Sequence, residues 1–158
     1  MSDESQETDH PGVIIFPPLL FAIAFVVGVV GHFVGYDYWS LAWPFRLCGV
    51  AIVLAGLAFG YWGQRVMKAA GTNVRPDMPT TAIVADGPFE LTRNPLYLSV
   101  IVMFIGVGLL IASPIFLAIV VPLALVLHFG VVLREERYLE AKFGDAYRAY
   151  KSRVRRWF

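Results

Sequence analysis

The sequence predicts an all-α integral membrane protein with four transmembrane helices, an ordered cytoplasmic loop and an amphipathic C-terminal helical tail. Of its 158 residues, 58% are hydrophobic and only 16% are charged, whereas soluble domains have about 45–50% and 25%. The apolar residues form long runs without charge, each long enough to cross a bilayer. A net charge of +1 and a single cysteine argue against a nucleic-acid-binding domain and a disulfide scaffold. We expect a single membrane domain over residues 13–158.

The first two spans follow a short acidic tail. Residues 1–12 contain four carboxylates and no lysine or arginine, so they lack the basic start of a secretory signal peptide. Residues 13–36 carry no charge, and residues 41–63 carry only Arg46, which lies near the start of that run. Since about 20 apolar residues cross the hydrocarbon core, these two runs are predicted to be spans.

The third and fourth spans are predicted from one long apolar run. Residues 95–133 contain no charge over 39 residues, and a single helix of that length would be roughly 58 Å long. Because this is nearly twice the thickness of the hydrocarbon core, the run must fold back. Ser113-Pro114 is the reversal point, which gives spans over 95–112 and 115–133.

The basic residues predict the orientation. Twelve of the thirteen lie in the 64–94 loop or in the tail over 134–158, and only Arg46 falls towards the other side. Short loops rich in lysine and arginine remain in the cytoplasm. We therefore expect both termini and the 64–94 loop to be cytoplasmic in a multi-pass protein.

Two other features have structural explanations. Gly31 and Gly35, like Gly56 and Gly60, are four residues apart, a spacing that serves either homodimerisation or close packing within one chain. We favour packing within the chain. The three histidines are too scattered for a metal site, so no metal is expected.

The 64–94 loop is too patterned for a simple connector. Asp86-Gly87-Pro88 is a turn signal, and Pro95 is suited to the first position of the third span, with Asn94 as its cap. Arg93 and Asn94 then have a plain structural interpretation, as an interfacial anchor and a helix cap. Loops of this length in compact proteins are nevertheless usually functional or disordered.

The tail after the fourth span has an apolar face that recurs every three or four residues. Gly144-Asp145 resembles a helix end followed by a new cap, which predicts two short helices. A basic amphipathic tail on an anionic membrane surface is the simple interpretation. Glu135 and Glu136 fit it poorly, because two carboxylates gain nothing from such a surface.

Together these segments resemble a known family. Gly87-Pro88-Phe89, Thr92-Arg93-Asn94-Pro95-Leu96-Tyr97, a transmembrane hairpin and Arg134-Glu135-Glu136 occur in this order, followed by Phe143-Gly144, Tyr147, Tyr150 and Val154-Arg155-Arg156. The arrangement is similar to the isoprenylcysteine carboxyl methyltransferases, which belong with the phospholipid methyltransferases. Two positions depart from the family pattern: Asn94 replaces the commoner histidine, and Arg155 replaces a proline.

The resemblance implies an S-adenosyl-L-methionine-dependent methyltransferase that acts on an amphiphilic or lipid-modified acceptor in the bilayer. It implies catalytic roles for Arg93, Asn94 and Tyr97, and substrate binding by Arg153 and Arg156. The implied cofactor pocket comprises Gly87, Pro88, Phe89, Arg93, Asn94, Pro95, Tyr97, Glu135, Glu136, Tyr147 and Tyr150. In it Arg93 would hold the cofactor carboxylate, and the two glutamates would hold its ammonium or ribose.

Two other functions remain open at this point. Membrane reductases of the sterol and steroid type are similar in the C-terminal half and use NADPH, although only the tail arginines could serve a 2′-phosphate. A non-enzymatic membrane module would explain the spans. It would leave the patterned loop and the Glu135-Glu136 pair without a purpose.

Overall fold

The computed structural model describes residues 11–35, 40–74 and 78–157, and all regular structure within them is helical. The elements are α1 (Pro17–Val34), α2 (Trp43–Ala69), a 3-10 turn (Gly87–Glu90), α3 (Pro95–Leu110), α4 (Pro114–Leu127), a π-helical turn (His128–Val132), α5 (Leu133–Phe143) and α6 (Asp145–Arg153). The all-α prediction is confirmed over these ranges. Residues 1–10 of the acidic tail, residue 36 at the predicted end of the first span, Arg75 and Phe158 lie outside them.

Three helical stretches are long and apolar enough to cross a membrane. They are Pro17–Val34, Trp43–Ala69 and Pro114–Phe143, of 18, 27 and 30 residues. The helix α3, at 16 residues, is apolar but shorter. The protein is therefore an integral membrane protein.

Helices α3 and α4 begin at prolines, as the sequence predicts. Pro95 and Pro114 occupy the first turns of α3 and α4, where the missing N–H has no intrahelical partner to lose. Between these helices Ala112 adopts a positive φ of 51°, and the Ser113 N–H donates to the Gly108 carbonyl at 2.8 Å. The predicted reversal at Ser113-Pro114 is confirmed.

Two helices continue past the predicted ends of their spans. Helix α2 continues past residue 63 to Ala69, because its last residues remain good helix formers beyond the apolar run, and the chain turns only at Gly71 with φ +68°. The π-helical turn after α4 leads directly into α5, so helical structure continues past residue 133. Gly144, at φ +54°, ends α5 and precedes α6, so Asp145 is the first residue of α6 rather than its cap.

The spaced glycines pack within the chain, as we favoured. A methyl group at Gly49 of α2 would lie 2.5 Å from the Leu110 backbone nitrogen of α3, and one at Gly56 would lie 2.7 Å from the Met103 side chain. A methyl group at Gly31 of α1 would lie 2.9 Å from the Ile115 side chain of α4. The absence of side chains at these positions lets the helix backbones approach closely.

Neighbouring helices run antiparallel. The end of α2 and the start of α3 therefore lie at the same end of the bundle as the start of α1 and the turn after α4. Gly63 near the end of α2 faces Leu96 at the start of α3. The Ile14 N–H, just before α1, donates to the Gly130 carbonyl of the π-helical turn at 3.1 Å. The loop between α2 and α3 and the polar segment after α4 therefore meet at this end.

Candidate active site

A cavity lies at this end of the bundle. It contains about 810 Å³ of space not filled by atoms, part of it open to the outside. Its apolar and aromatic wall comes from α2, the 3-10 turn, α3, α5 and α6, through Met67, Phe89, Leu96, Leu139, Tyr147 and Tyr150.

A carboxylate and a phenol meet inside the cavity. Tyr97 in the first turn of α3 donates a hydrogen bond of 2.5 Å to Glu135 in the first turn of α5, and both line the cavity. The π-helical turn before α5 has a wider hydrogen-bonding period than an α-helix. The Glu135 side chain therefore points in a different direction from the one it would have if α4 continued as a regular α-helix.

Arg93 forms the cationic side of the cavity. Its backbone N–H donates to the Arg155 carbonyl at 3.0 Å, and its Nη2 lies 3.2 Å from Oε1 of Glu136. The side chain is 8% exposed. Its Nε and Nη1 are buried and have no hydrogen-bond partner among the described residues, a state that costs about 1–3 kcal/mol per group.

Glu136 points away from the cavity into an ion-pair cluster. Its carboxylate accepts from Nε and Nη2 of Arg156, both at 2.8 Å, in addition to its contact with Arg93. These hydrogen bonds raise the pKa of Arg156. We define the Glu136 cluster as Arg93, Glu136 and Arg156. The adjacent glutamates, predicted to act together, therefore have different surroundings.

The C-terminal segment is attached to the start of α3. The Arg156 carbonyl accepts from Thr92 Oγ1 at 2.9 Å and from Asn94 Nδ2 at 3.0 Å. Further along, Trp157 Nε1 donates to His128 Nδ1 at 3.2 Å. Asn94 does occupy the cap position of α3, but its side chain makes no capping hydrogen bond. The expected side-chain cap is wrong because the amide binds the C-terminal segment instead.

Two tyrosines of α6 complete the buried wall. Tyr150 donates to the Phe89 carbonyl at 2.8 Å, which fixes α6 against the 3-10 turn. Tyr147 is 2% exposed, and burial raises its pKa to about 12. Both phenols therefore remain neutral at physiological pH.

The structure brings most of the predicted site residues to one cavity. Phe89, Arg93, Asn94, Pro95, Tyr97, Glu135, Tyr147 and Tyr150 line it. Gly87, at φ +61°, and Pro88 shape the preceding turn instead. Arg153 is exposed on α6, and Arg156 is held by Glu136, so the two predicted substrate-binding arginines lie outside the cavity wall.

The sequence interpretation missed one wall of the cavity. Thr72, Asn73 and the 80–84 segment line it from the loop after α2. The Thr81 N–H donates to Thr72 Oγ1 at 3.1 Å, and the Thr80 N–H donates to the Tyr138 hydroxyl at 3.3 Å. The closely spaced threonines were visible in the sequence, but the Tyr138 hydroxyl that binds Thr80 lies 58 residues further along the chain.

Similarity to known proteins covers most of this site. The family model for phospholipid methyltransferase matches residues 45–146, from the start of α2 to the start of α6. An uncharacterised protein of Haemophilus influenzae (strain ATCC 51907 / DSM 11121 / KW20 / Rd) is 40% identical over 62 residues, which is 39% of this chain and 98% of that protein. The family match includes Arg93, Glu135 and Glu136 and ends before Arg156.

Proposed function

The chain belongs to the phospholipid methyltransferase family, and from this premise we propose that it transfers a methyl group from S-adenosylmethionine to a lipid-like or lipid-modified acceptor. The family membership makes it a membrane methyltransferase. The cofactor and the acceptor are the proposal. It rests on one observation: Arg93 and Glu135 face a single cavity with aromatic walls.

The charges around the cavity suit the amino-acid end of the cofactor. That end carries a carboxylate and an ammonium. The unpartnered Nε and Nη1 of Arg93 lie on different edges of the guanidinium, and each can donate a charge-assisted hydrogen bond to a carboxylate. Glu135, on the side opposite in charge, is suited to an ammonium, while Phe89 and Tyr97 offer rings to adenine or to a cationic sulfur.

The residues supply alignment rather than chemical groups. When bound, the cofactor would supply a methyl group on a sulfonium sulfur. A nucleophile of the acceptor would attack the methyl carbon in line, and the sulfur would leave as a neutral thioether. Holding two reactants in the correct geometry can contribute about 7–11 kcal/mol to catalysis. The buried tyrosines of α6 and the segment around residues 82–84 form part of the cavity wall, and Arg93 and Glu135 would fix the orientation of the cofactor.

We propose that the acceptor comes from the bilayer. The cavity lies where α3 begins and α5 leaves the bundle, and an amphiphile could place its polar head there while its tail stays in lipid. In this proposal α3 is a fourth span, because it runs antiparallel to α2 along its length. The basic loop and tail then face the cytoplasm.

The contacts of the tail favour methyl transfer over an NADPH-dependent reductase. A reductase requires a basic pocket for the 2′-phosphate. Arg156 is neutralised by Glu136 at 2.8 Å, and Arg153 is exposed on α6 outside the cavity wall. Arg93 alone faces the cavity as a cation among the described residues that line it. A non-enzymatic module would not account for the charges in the cavity.

Ligand titration tests the proposal. Detergent-purified protein is titrated separately with S-adenosylmethionine, S-adenosylhomocysteine and NADPH, and methyl transfer is followed with labelled cofactor and membrane lipids. We expect both adenosyl ligands to bind, and Arg93→Met to weaken them by about tenfold or more. The control Arg65→Met changes an exposed arginine of α2 and should bind as the wild type does. Binding of NADPH alone would overturn the proposal.

A further inference from the structure

Glu136 is buried beside the cavity but contacts two arginines instead of facing it. We infer that Glu136 is a positioning residue, which orients Arg93 for the carboxylate of the cofactor and makes no contact with the cofactor itself. The inference rests on the proposed function. It means that Glu136, a residue outside the cavity wall, contributes to the specificity of the site for the carboxylate of the cofactor.

The geometry fixes Glu136 from the C-terminal side. Two parallel hydrogen bonds of 2.8 Å join its carboxylate to Arg156, and such a fork restricts both distance and angle. The Arg156 backbone is fixed in turn, because its carbonyl accepts from Thr92 and Asn94. The Glu136 carboxylate is therefore held in place by contacts that do not involve Arg93.

Arg93 is held at two points. Its backbone N–H donates to the Arg155 carbonyl, and Nη2 contacts Glu136 at 3.2 Å. Its chain neighbours Thr92 and Asn94 are themselves hydrogen-bonded to the Arg156 carbonyl. The remaining donors, Nε and Nη1, are buried without a partner among the described residues. Glu136 thus anchors the guanidinium at Nη2, and Nε and Nη1 remain to donate to a ligand.

The charge of the Glu136 cluster points to an anion. Two guanidinium groups share one carboxylate, so the cluster has an excess charge of +1, and Arg93 lies at the cavity wall. An anion in the cavity would satisfy the buried donors and balance this charge. The α-carboxylate of the cofactor has the planar shape that an arginine binds with two hydrogen bonds.

Electrostatics and positioning predict opposite effects of removing the negative charge. If Glu136 acted only through its charge, Glu136→Gln would leave the cluster more positive and strengthen the binding of an anion. If Glu136 positions Arg93, the same change lets the guanidinium leave its orientation and weakens that binding. The sign of the effect distinguishes the two.

Three ligands separate positioning from direct contact with the cofactor. They are S-adenosylhomocysteine, its analogue without the α-amino group and its analogue without the α-carboxylate. In Glu136→Gln we expect the first two to bind about tenfold more weakly and the analogue without the carboxylate to bind within about twofold of the wild type. The control Glu140→Gln removes a partly exposed carboxylate of the same helix that pairs with Lys151, and all three affinities should remain unchanged.

The outcomes are distinct. Selective weakening of the analogue that retains the amino group would mean that Glu136 binds the ammonium directly, and it would overturn the inference. Equal weakening of all three ligands would indicate general damage and would also overturn it, as would tighter binding of S-adenosylhomocysteine. If the wild type binds none of these ligands, the proposed function fails and the inference fails with it.

A second variant covers the case in which Glu136→Gln does not fold. Arg156→Lys keeps every charge in the cluster but cannot form the fork. It should weaken the two carboxylate-bearing ligands by about threefold and leave the third unchanged. Unchanged affinity for all three in folded Arg156→Lys would show that the fork does not position Arg93.

Discussion

The phenol of Tyr97 donates a hydrogen bond of 2.5 Å to Glu135 and so joins the start of α3 to the start of α5 inside the cavity. The two residues are 38 positions apart and lie on either side of the Ser113-Pro114 reversal. A distance of 2.5 Å is at the short end of the range for O–H···O hydrogen bonds in proteins. The pair therefore fixes the position of the carboxylate that we propose for the cofactor ammonium.

We predict that Tyr97 and Glu135 act as one unit in ligand binding. Tyr97→Phe removes only the hydroxyl, and Glu135→Gln removes only the charge. In a double-mutant cycle on the affinity for S-adenosylhomocysteine, we expect a coupling free energy of about 1.5–3 kcal/mol. Tyr97→Phe combined with Glu140→Gln is the control, and its effects should add within about 0.5 kcal/mol. Additive effects in the first cycle would contradict the prediction.

The packing of α2 on α3 makes a separate prediction about stability. The methyl group of Gly49→Ala would lie 2.5 Å from the Leu110 nitrogen and 2.7 Å from the Gly106 carbonyl oxygen, and backbone atoms cannot move aside as a flexible side chain can. We expect the free energy of unfolding in detergent to fall by about 1–3 kcal/mol.

The matched control for Gly49→Ala is Gly130→Ala, where the nearest atoms to a new methyl group lie 3.9 Å away. This change should cost less than Gly49→Ala because the methyl group has room. Equal losses of stability in the two variants would mean that the close approach of α2 and α3 at Gly49 does not matter.

The charge-free runs were enough to predict much of the fold. They predicted the helices and the reversal at Ser113-Pro114, because the bilayer thickness limits how long an apolar helix can be. The order of the motifs around Arg93 and Glu135 predicted the family, which the match over residues 45–146 confirms. The same motifs also indicated eight of the twenty residues that line the cavity.

Distant contacts explain what the sequence did not predict. Glu135 and Glu136 look equivalent as neighbours in the sequence, but adjacent positions of an α-helix lie roughly 100° apart around its axis, and one faces the cavity while the other faces Arg156. Asn94 has the residue type and position of a helix cap, yet its amide binds a carbonyl 62 residues away. Periodicity carries no information on such pairs, because it describes which face a residue occupies and not what it meets.

The attachment of the C-terminal segment predicts a large effect at Thr92. Its hydroxyl donates to the Arg156 carbonyl and accepts from the Asn94 N–H at 3.2 Å, and the residue is 1% exposed. Thr92→Val keeps the shape, leaves the buried Asn94 N–H without this acceptor and removes one of the two hydrogen bonds to the Arg156 carbonyl. We expect a loss of about 1–3 kcal/mol in unfolding free energy, with increased sensitivity of the C terminus to carboxypeptidase.

Thr81→Val provides the comparison for Thr92→Val. Thr81 also donates its hydroxyl to a backbone carbonyl, that of Gly71 at 2.9 Å, but at an exposed position where water can replace it. Its loss should cost less than about 0.5 kcal/mol. A similar loss in both variants would argue against a special role for the buried attachment.

The proposed topology predicts which residues a membrane-impermeant thiol reagent can label. In a Cys48→Ser background, cysteine at position 73 and an added C-terminal cysteine should be labelled from the same, cytoplasmic side, since the basic residues cluster in these segments. Cysteine at position 40, between α1 and α2 and exposed, should be labelled from the opposite side. Labelling of positions 73 and 40 from one side would mean that α2 does not span the membrane.

Arg93→Lys separates recognition of the cofactor from anchoring at the membrane interface. A lysine keeps the charge and can still reach Glu136 or lipid phosphates, but it lacks the planar fork that holds a carboxylate through two hydrogen bonds. We expect the variant to insert and fold normally while its affinity for S-adenosylmethionine falls about tenfold or more and most methyl transfer is lost. The control is Arg65→Lys, which changes an exposed arginine whose guanidinium lies 5.9 Å from the centre of the Tyr61 ring, and its activity should match the wild type. Full activity in Arg93→Lys would show that Arg93 serves only as an anchor, because one ammonium cannot reproduce the hydrogen bonds that a planar guanidinium donates to a carboxylate.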